Sequence, residues 1–189
     1  MTLSAITTWK GGTVASADAA PIAADVRVEN GRITVVGPDL PPVEGEQIID
    51  ASGCVLLPGL FDLRTHLREP GREDQESLRS GTEAAIHGGF TGVVAMPNTT
   101  PPIDTAAMAR FIASSARELA RIPVYPAGCL SKQRAGIELA EVGDMQRQGA
   151  VMITEDDRPV EDPNLLRRAF EYSRSLGLPI GIHCDVSAL

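Results

Sequence analysis

The sequence predicts an α/β protein: a parallel (β/α) barrel of the TIM type, incomplete at about five of the eight strands such a barrel has, preceded by a small β segment. Three observations predict it. Up to about residue 49 the chain is written in short Val-, Ile- and Thr-rich segments broken by turn residues. From Gly53 onward an apolar strand, a loop and a helix-like stretch repeat. Polar side chains gather just after several of those strands, which is where a barrel of this type carries its working residues. The expected division is 1–52 for the β segment and 53–189 for the partial barrel.

In the first part, Asp25-Val26-Arg27-Val28-Glu29 alternates strictly, Asn30-Gly31 follows, and Arg32 to Gly37 alternates again. Asn-Gly supplies the two positive φ angles of a tight hairpin turn, so this is a hairpin. Pro38, Pro41 and Pro42 then mark a loop.

In the second part, Cys54 to Leu57 leads through Pro58-Gly59 into Leu60-Phe61-Asp62-Leu63, the first barrel strand. A helix is expected over about 76–87, stopped by Gly88-Gly89, with Gly92 to Met96 as the second strand. Asp104 is expected to cap the next helix, whose Met108, Phe111, Ile112, Ser115 and Leu119 fall on one face. Val124 to Gly128 is a third strand, about 137–148 a third helix, and Val151 to Thr154 a fourth strand. Asp162-Pro163 combines a cap with proline in the first turn and starts a helix with Leu165, Leu166, Ala169, Phe170 and Leu176 on its apolar face. Gly177 ends it, and Pro179 to Ile182 is the fifth strand. No dinucleotide-binding glycine loop follows the first strand, and the strand-end residues favour the barrel over an open doubly wound sheet.

Composition narrows the functional classes. A formal net charge of −8 without clustered Lys and Arg argues against a nucleic-acid surface. Cys54, Cys129 and Cys184 are odd in number and widely spaced, giving neither a disulfide framework nor a zinc-type pair. Two of them lie in apolar runs, where a small buried thiol is expected. With no signal-peptide pattern at the N-terminus and no apolar run approaching the roughly 18 residues of a membrane span, the expectation is a cytoplasmic protein.

The strand ends carry the chemistry. The first is followed by Arg64-Thr65-His66-Leu67-Arg68-Glu69-Pro70-Gly71, the second by Met96-Pro97-Asn98-Thr99, the fourth by Glu155-Asp156-Asp157 and the fifth by His183-Cys184-Asp185. Imidazole and carboxylate together suit zinc, which lowers the pKa of a bound water to about 7. Taken singly, a histidine at a strand end is usually a loop residue and an acidic triplet a solvated charge run; their coincidence at several strand ends raises the metal reading. His87, just before a glycine stop, suits the helix dipole, and Lys132 reads as a surface lysine.

Pro58-Gly59-Leu60-Phe61-Asp62 through Gly71, Gly88-Gly89-Phe90-Thr91, Met96 to Thr99, Glu138 to Met145, Thr154 to Val160 and Ile182 to Asp185 resemble the amidohydrolase superfamily, and the dihydroorotase family within it. Leu-Arg-Glu-Pro-Gly joined to Met-Pro-Asn-Thr is the specific part. The resemblance covers nearly the whole chain, the β segment resembling part of the family's small sandwich domain. It implies reversible hydrolysis of dihydroorotate to carbamoyl-aspartate in pyrimidine synthesis. It also implies zinc on His66, His183 and Asp156, with Glu155 the alternative to Asp156, and a substrate carboxylate held by Arg68 and Asn98. A guanidinium fork suits a carboxylate chemically.

Two departures stand out. The family's first-strand His-x-His reads Arg64-Thr65-His66 here, and arginine offers a cation no lone pair. The later strands, expected to bring a further metal-binding histidine and the proton-shuttling aspartate, would lie past Leu189, so the chain is expected to be a fragment, inactive alone. The alternatives are a non-catalytic dihydroorotase-like subunit partnering aspartate carbamoyltransferase, and a hydantoinase or allantoinase.

Overall fold

The computed structural model describes residues 5–185. The chain forms two compact units, Met1–Pro58 and Gly59–Leu189.

The first unit is one mixed sheet of β1 (Ile6–Val14), β2 (Ile22–Glu29), β3 (Arg32–Gly37), β4 (Gln47–Asp50) and β5 (Val55–Leu56). Its order is β3-β2-β1-β4, with β5 on the far stretch of β1. β2 and β3 form the expected hairpin, and Asn30 and Gly31 take the positive φ angles, 51° and 77°, that its turn requires. Asp25 and Arg27, charged positions of β2, are both buried. Each is neutralised where it lies. Asp25 accepts the N–H groups of Gly11 and Leu40, both at 2.9 Å. Arg27 donates to Thr8 Oγ1 at 3.0 Å and stands 3.3 Å from Glu46 Oε2. The segment 55–56, expected on the approach to the barrel, pairs with β1 and belongs to this sheet.

The second unit alternates β6 (Leu60–Thr65), α1 (Leu78–His87), β7 (Phe90–Ala95), α2 (Ala106–Leu119), β8 (Val124–Cys129), α3 (Val142–Arg147), β9 (Met152–Thr154), α4 (Pro163–Leu176) and β10 (Ile180–Gly181). The five strands are parallel and stand in chain order, β10-β9-β8-β7-β6. That is the order of a barrel wall; an open doubly wound sheet would reverse direction somewhere along it. Leu78, Ile103, Ile112, Leu130, Met145, Ile153 and Leu165 are all fully buried in the core. Each contributes about 1.5–3 kcal/mol by leaving water.

The helix ends follow local chemistry, with three departures from expectation. α1 starts at Ser77, whose hydroxyl accepts the Ser80 N–H, and α4 starts at Asp162 with Pro163 in its first turn. α2 is capped by Thr105, not Asp104. Asp104 is buried and accepts the Gln133 N–H at 2.8 Å, holding the loop after β8. α3 is shorter than the expected 137–148, because Leu139 bridges to Ser131 and the Ala140 N–H donates to Leu130 O. The apolar stripes also sit differently: α2 buries Ala109, Ile112 and Ala116 while Phe111 is exposed, and α4 buries Leu165, Ala169 and Ser173 while Phe170 is exposed. Small side chains let these helices approach the sheet closely. Among the described residues no helix is long and apolar enough to cross a membrane.

Candidate active site at the strand ends

Asp62, Arg64 and His66 stand close together at the end of β6, where the strand is irregular against β7 between Asp62 and Thr65. Asp62 Oδ1 accepts the Arg64 N–H at 2.9 Å and shapes the strand there. Arg64 and His66 both reach Asp156, just beyond the end of β9. Arg64 Nε lies 3.1 Å from Asp156 Oδ1, and His66 Nε2 lies 2.8 Å from Asp156 Oδ2. The Asp156 side chain is fully buried, at 0% exposure, whereas that of Arg64 is 57% exposed. Asp156 is turned inward by a left-handed backbone, φ 58°, and its N–H donates to Thr154 Oγ1 at 2.9 Å.

Glu155 points elsewhere. Its Oε1 accepts the Ser131 N–H and its Oε2 stands 3.9 Å from Arg134 Nε. Burial pushes its carboxyl above the usual range, against the opposing pull of the Ser131 bonds and of the Arg134 and Arg158 charges. Of the two acidic neighbours, Asp156 is therefore the one gathered with His66.

His183 lies just after β10, its side chain 40% exposed and its Nε2 3.9 Å from Asp185 Oδ2. The structure thus joins His66 to Asp156, and His183 to a different carboxylate. Among the described residues no group of three or more His, Cys, Asp and Glu side chains is placed to hold a metal ion. The local chemistry agrees. Both oxygens of Asp156 are engaged, Nε2 of His66 is turned to that carboxylate, and the Arg64 guanidinium brings a fixed positive charge to the place a cation would take. As arranged, these residues do not fit a divalent ion.

The other half of the mouth is better prepared for a ligand. Leu67 is buried under Gly81, anchoring the loop after β6, and Arg68 follows with a left-handed φ of 61°. Glu69 Oε2 accepts the Leu78 N–H at 2.8 Å and so caps α1. The loops after β6 and β7 are tied to each other twice, Met96 N–H donating to Thr65 O at 2.9 Å and Thr100 N–H to Pro70 O at 3.0 Å. Gly71, at φ 102°, packs so tightly on this joint that a Cβ would come within 2.3 Å of Thr100 O. Arg68 and Asn98 sit on these two joined loops, both half-buried. Neither side chain has a hydrogen-bond or ion-pair partner among the described residues. The sequence pattern did not reveal Glu69 and Gly71 as the pieces that hold the loops; the proline and glycine of the motif were the available signal.

The residues set aside from the site stay apart from it. His87 ends α1 and is exposed. Lys132 is a half-exposed partner of Glu138, whose hydrogen bond at 2.6 Å raises its pKa. Cys129 is buried, which pushes its thiol well above the usual range, whereas Cys54 and Cys184 are exposed.

Comparison with known proteins places the chain in a family. The family model described as "Dihydro-orotase-like" matches residues 53–189. The chain belongs to the dihydro-orotase-like family. It is 44% identical over 161 residues to the dihydroorotase of Pelobacter propionicus, covering 85% of this chain and 38% of that protein. To the dihydroorotase of Syntrophotalea carbinolica it is 45% identical over 161 residues, with the same coverage of 85% and 38%. The chain therefore spans well under half the length of the curated relatives it matches. Among solved structures, the L-hydantoinase (dihydropyrimidinase) of Arthrobacter aurescens superposes with a TM-score of 0.82 at 22% identity, over 96% of this chain and 41% of that one. The dihydropyrimidinase of Brevibacillus agri gives a TM-score of 0.75 at 23% identity, over 95% and 40%. At that identity the structural likeness concerns the fold: a five-stranded parallel part of a TIM-type barrel, with a separate mixed sheet beside it in the chain.

Proposed function

We propose that the full-length protein is a dihydroorotase-like cyclic-amide hydrolase, interconverting dihydroorotate and carbamoyl-aspartate. In this reading the chain supplies the clamp for the substrate's carboxylate. One observation carries it: Arg68 and Asn98 stand half-buried and without partners among the described residues, on two loops that are hydrogen-bonded to each other. A guanidinium can bind a carboxylate through two parallel N–H donors, and the amide N–H2 adds a third. The relatives named dihydroorotase support the substrate class. A hydantoin or allantoin lacks the carboxylate this pair would serve. The zinc ion expected on His66, Asp156 and His183 does not fit the arrangement of Arg64, His66 and Asp156. The deciding assay is ring opening of dihydroorotate by the full-length protein, with and without added zinc; turnover is expected, and its absence under both conditions refutes the proposal.

A second reading rests on the Arg64–Asp156 ion pair. An arginine in the place of a metal ligand suits a non-catalytic dihydroorotase-like subunit that partners aspartate carbamoyltransferase. Co-purification with that enzyme, without turnover and without retained metal, is its signature. Uncomplexed protein that opens the ring excludes it.

A further inference from the structure

A cleft of about 800 Å³ in the second unit lies away from the strand-end site. It opens where β8 begins and β9 is about to begin, between the end of α2 and the end of α3. Four arginines line it: Arg110 and Arg117 from α2, Arg121 just beyond that helix, and Arg147 from α3. Among the described residues no Asp or Glu lines it, in a chain that carries 25 acidic and 17 basic residues.

The arrangement follows from helical spacing. Arg110, Ser114 and Arg117 fall on one side of α2, and Arg121 follows after Ala120, where the backbone turns extended. Ser114 sits between the arginines with its hydroxyl folded back on Arg110 O, and with the small neighbours Ala113 and Ala116 it leaves the floor open. Gly149 approaches Ala113 from the α3 side, where an added Cβ would stand 3.7 Å from the Ala113 Cβ. Arg147 comes from a second element, so arginines of two elements border one concavity.

Exposed arginines on a helix are ordinarily solvated and paired with carboxylates nearby. Here Arg110 and Arg117 have no ion-pair partner among the described residues. Arg121 stands 3.9 Å from Glu83, both side chains about half exposed, and Arg147 pairs with Asp144. Neither carboxylate lines the cleft. Arg110 and Arg117, collected on one helix side without counter-charges, repel each other, and a multiply charged anion relieves that repulsion. Guanidinium forks match phosphate oxygens in geometry as well as charge. The volume falls within the range of small-molecule sites.

We propose that this cleft binds an oligophosphate, either free or as the phosphate chain of a nucleotide. The site is separate from the carboxylate clamp and does not depend on the reaction proposed above. Isothermal titration of the full-length protein with inorganic tripolyphosphate tests it, with ATP as a second arm. Saturable binding at one site is expected, weakening as salt rises. The double substitution Arg110→Ala with Arg117→Ala is expected to weaken it by roughly a hundredfold, about tenfold for each charge-assisted hydrogen bond removed. Arg110→Lys with Arg117→Lys should recover part of the affinity. Tighter binding of ATP assigns the site to a nucleotide, and equal binding assigns it to the phosphate chain alone. Unchanged circular dichroism of the variants separates lost binding from lost fold. The proposal is overturned if neither probe binds, if binding survives the double alanine substitution, or if an acidic peptide such as poly-glutamate binds more tightly than tripolyphosphate.

Discussion

Replacing Arg64 tests the strand-end site most directly. In Arg64→Ala, Asp156 keeps its place at 0% side-chain exposure but loses the guanidinium 3.1 Å from Oδ1, leaving His66 at 2.8 Å as its neighbour on the other oxygen. Removing one member of a fully buried ion pair costs about 3–5 kcal/mol. Arg64 is 57% exposed, so water already screens its charge and the gross value must be discounted toward that of a surface pair. The expected loss is roughly 1–3 kcal/mol, read as a lower urea midpoint with an unchanged slope. Arg64→His makes the complementary change. It removes the fixed charge and adds a nitrogen lone pair two residues from His66, at the end of β6. This variant is expected to retain zinc through dialysis, by elemental analysis, and to be stabilised by added zinc, by about 2.7 kcal/mol at a hundredfold excess over Kd. Wild-type protein should show neither effect. A wild-type chain holding one tightly bound zinc, together with an Arg64→Ala variant of unchanged stability, would show that the guanidinium does not occupy the cation's place.

Three further outcomes follow from the same structure. Arg68→Ala in the full-length protein should weaken dihydroorotate binding roughly tenfold to a hundredfold, the loss of a charge-assisted hydrogen bond; unchanged affinity by calorimetry excludes Arg68 from the clamp. Gly71→Ala should destabilise the protein by roughly 1–3 kcal/mol, because φ is 102° and the new Cβ would meet Thr100 O; an unaltered thermal midpoint contradicts the close packing of the two loops. Asp25→Asn should flatten the acid limb of stability. Asp25 sits below its ordinary value of 3.8, first through the Gly11 N–H bond, against desolvation, and then through Leu40, Lys10 and Arg27. Its contribution is therefore present above that ordinary value and lost as pH falls through the folded one; parallel wild-type and variant curves between pH 2 and 5, roughly the titration window of carboxylates, rule this out.

The parallel wall of β6 to β10 was legible because apolar runs of strand length, helix-period stretches and glycine stops are local signals, each decided within about ten residues. Asn30-Gly31 and Asp162-Pro163 were equally local, since the turn and the cap are set by the residues themselves. At the missed helix cap a tertiary partner overrode the local preference. Asp104 has the side chain of a cap, yet the Gln133 backbone claimed it and Thr105 took the cap. Tertiary partners also hold the charged Asp25 and Arg27 inside, through Gly11, Leu40, Thr8 and Glu46.

The same logic governs the strand-end site. Sequence could show that Arg64, His66 and Asp156 would stand at neighbouring mouths, because strand ends bring them there. It could not show that Asp156 would be engaged by both Arg64 and His66, since that depends on a backbone turn at φ 58° and on the reach of two side chains across β7 and β8. A motif states which residue types are present. Whether they form a metal-binding set or an ion-pair clasp depends on which groups still have lone pairs free once the chain has folded. At Asp156 both oxygens are already taken, and at Arg68 and Asn98 the donors still face no partner among the described residues. The functional proposal therefore follows the clamp, while the fate of the metal rests on Arg64.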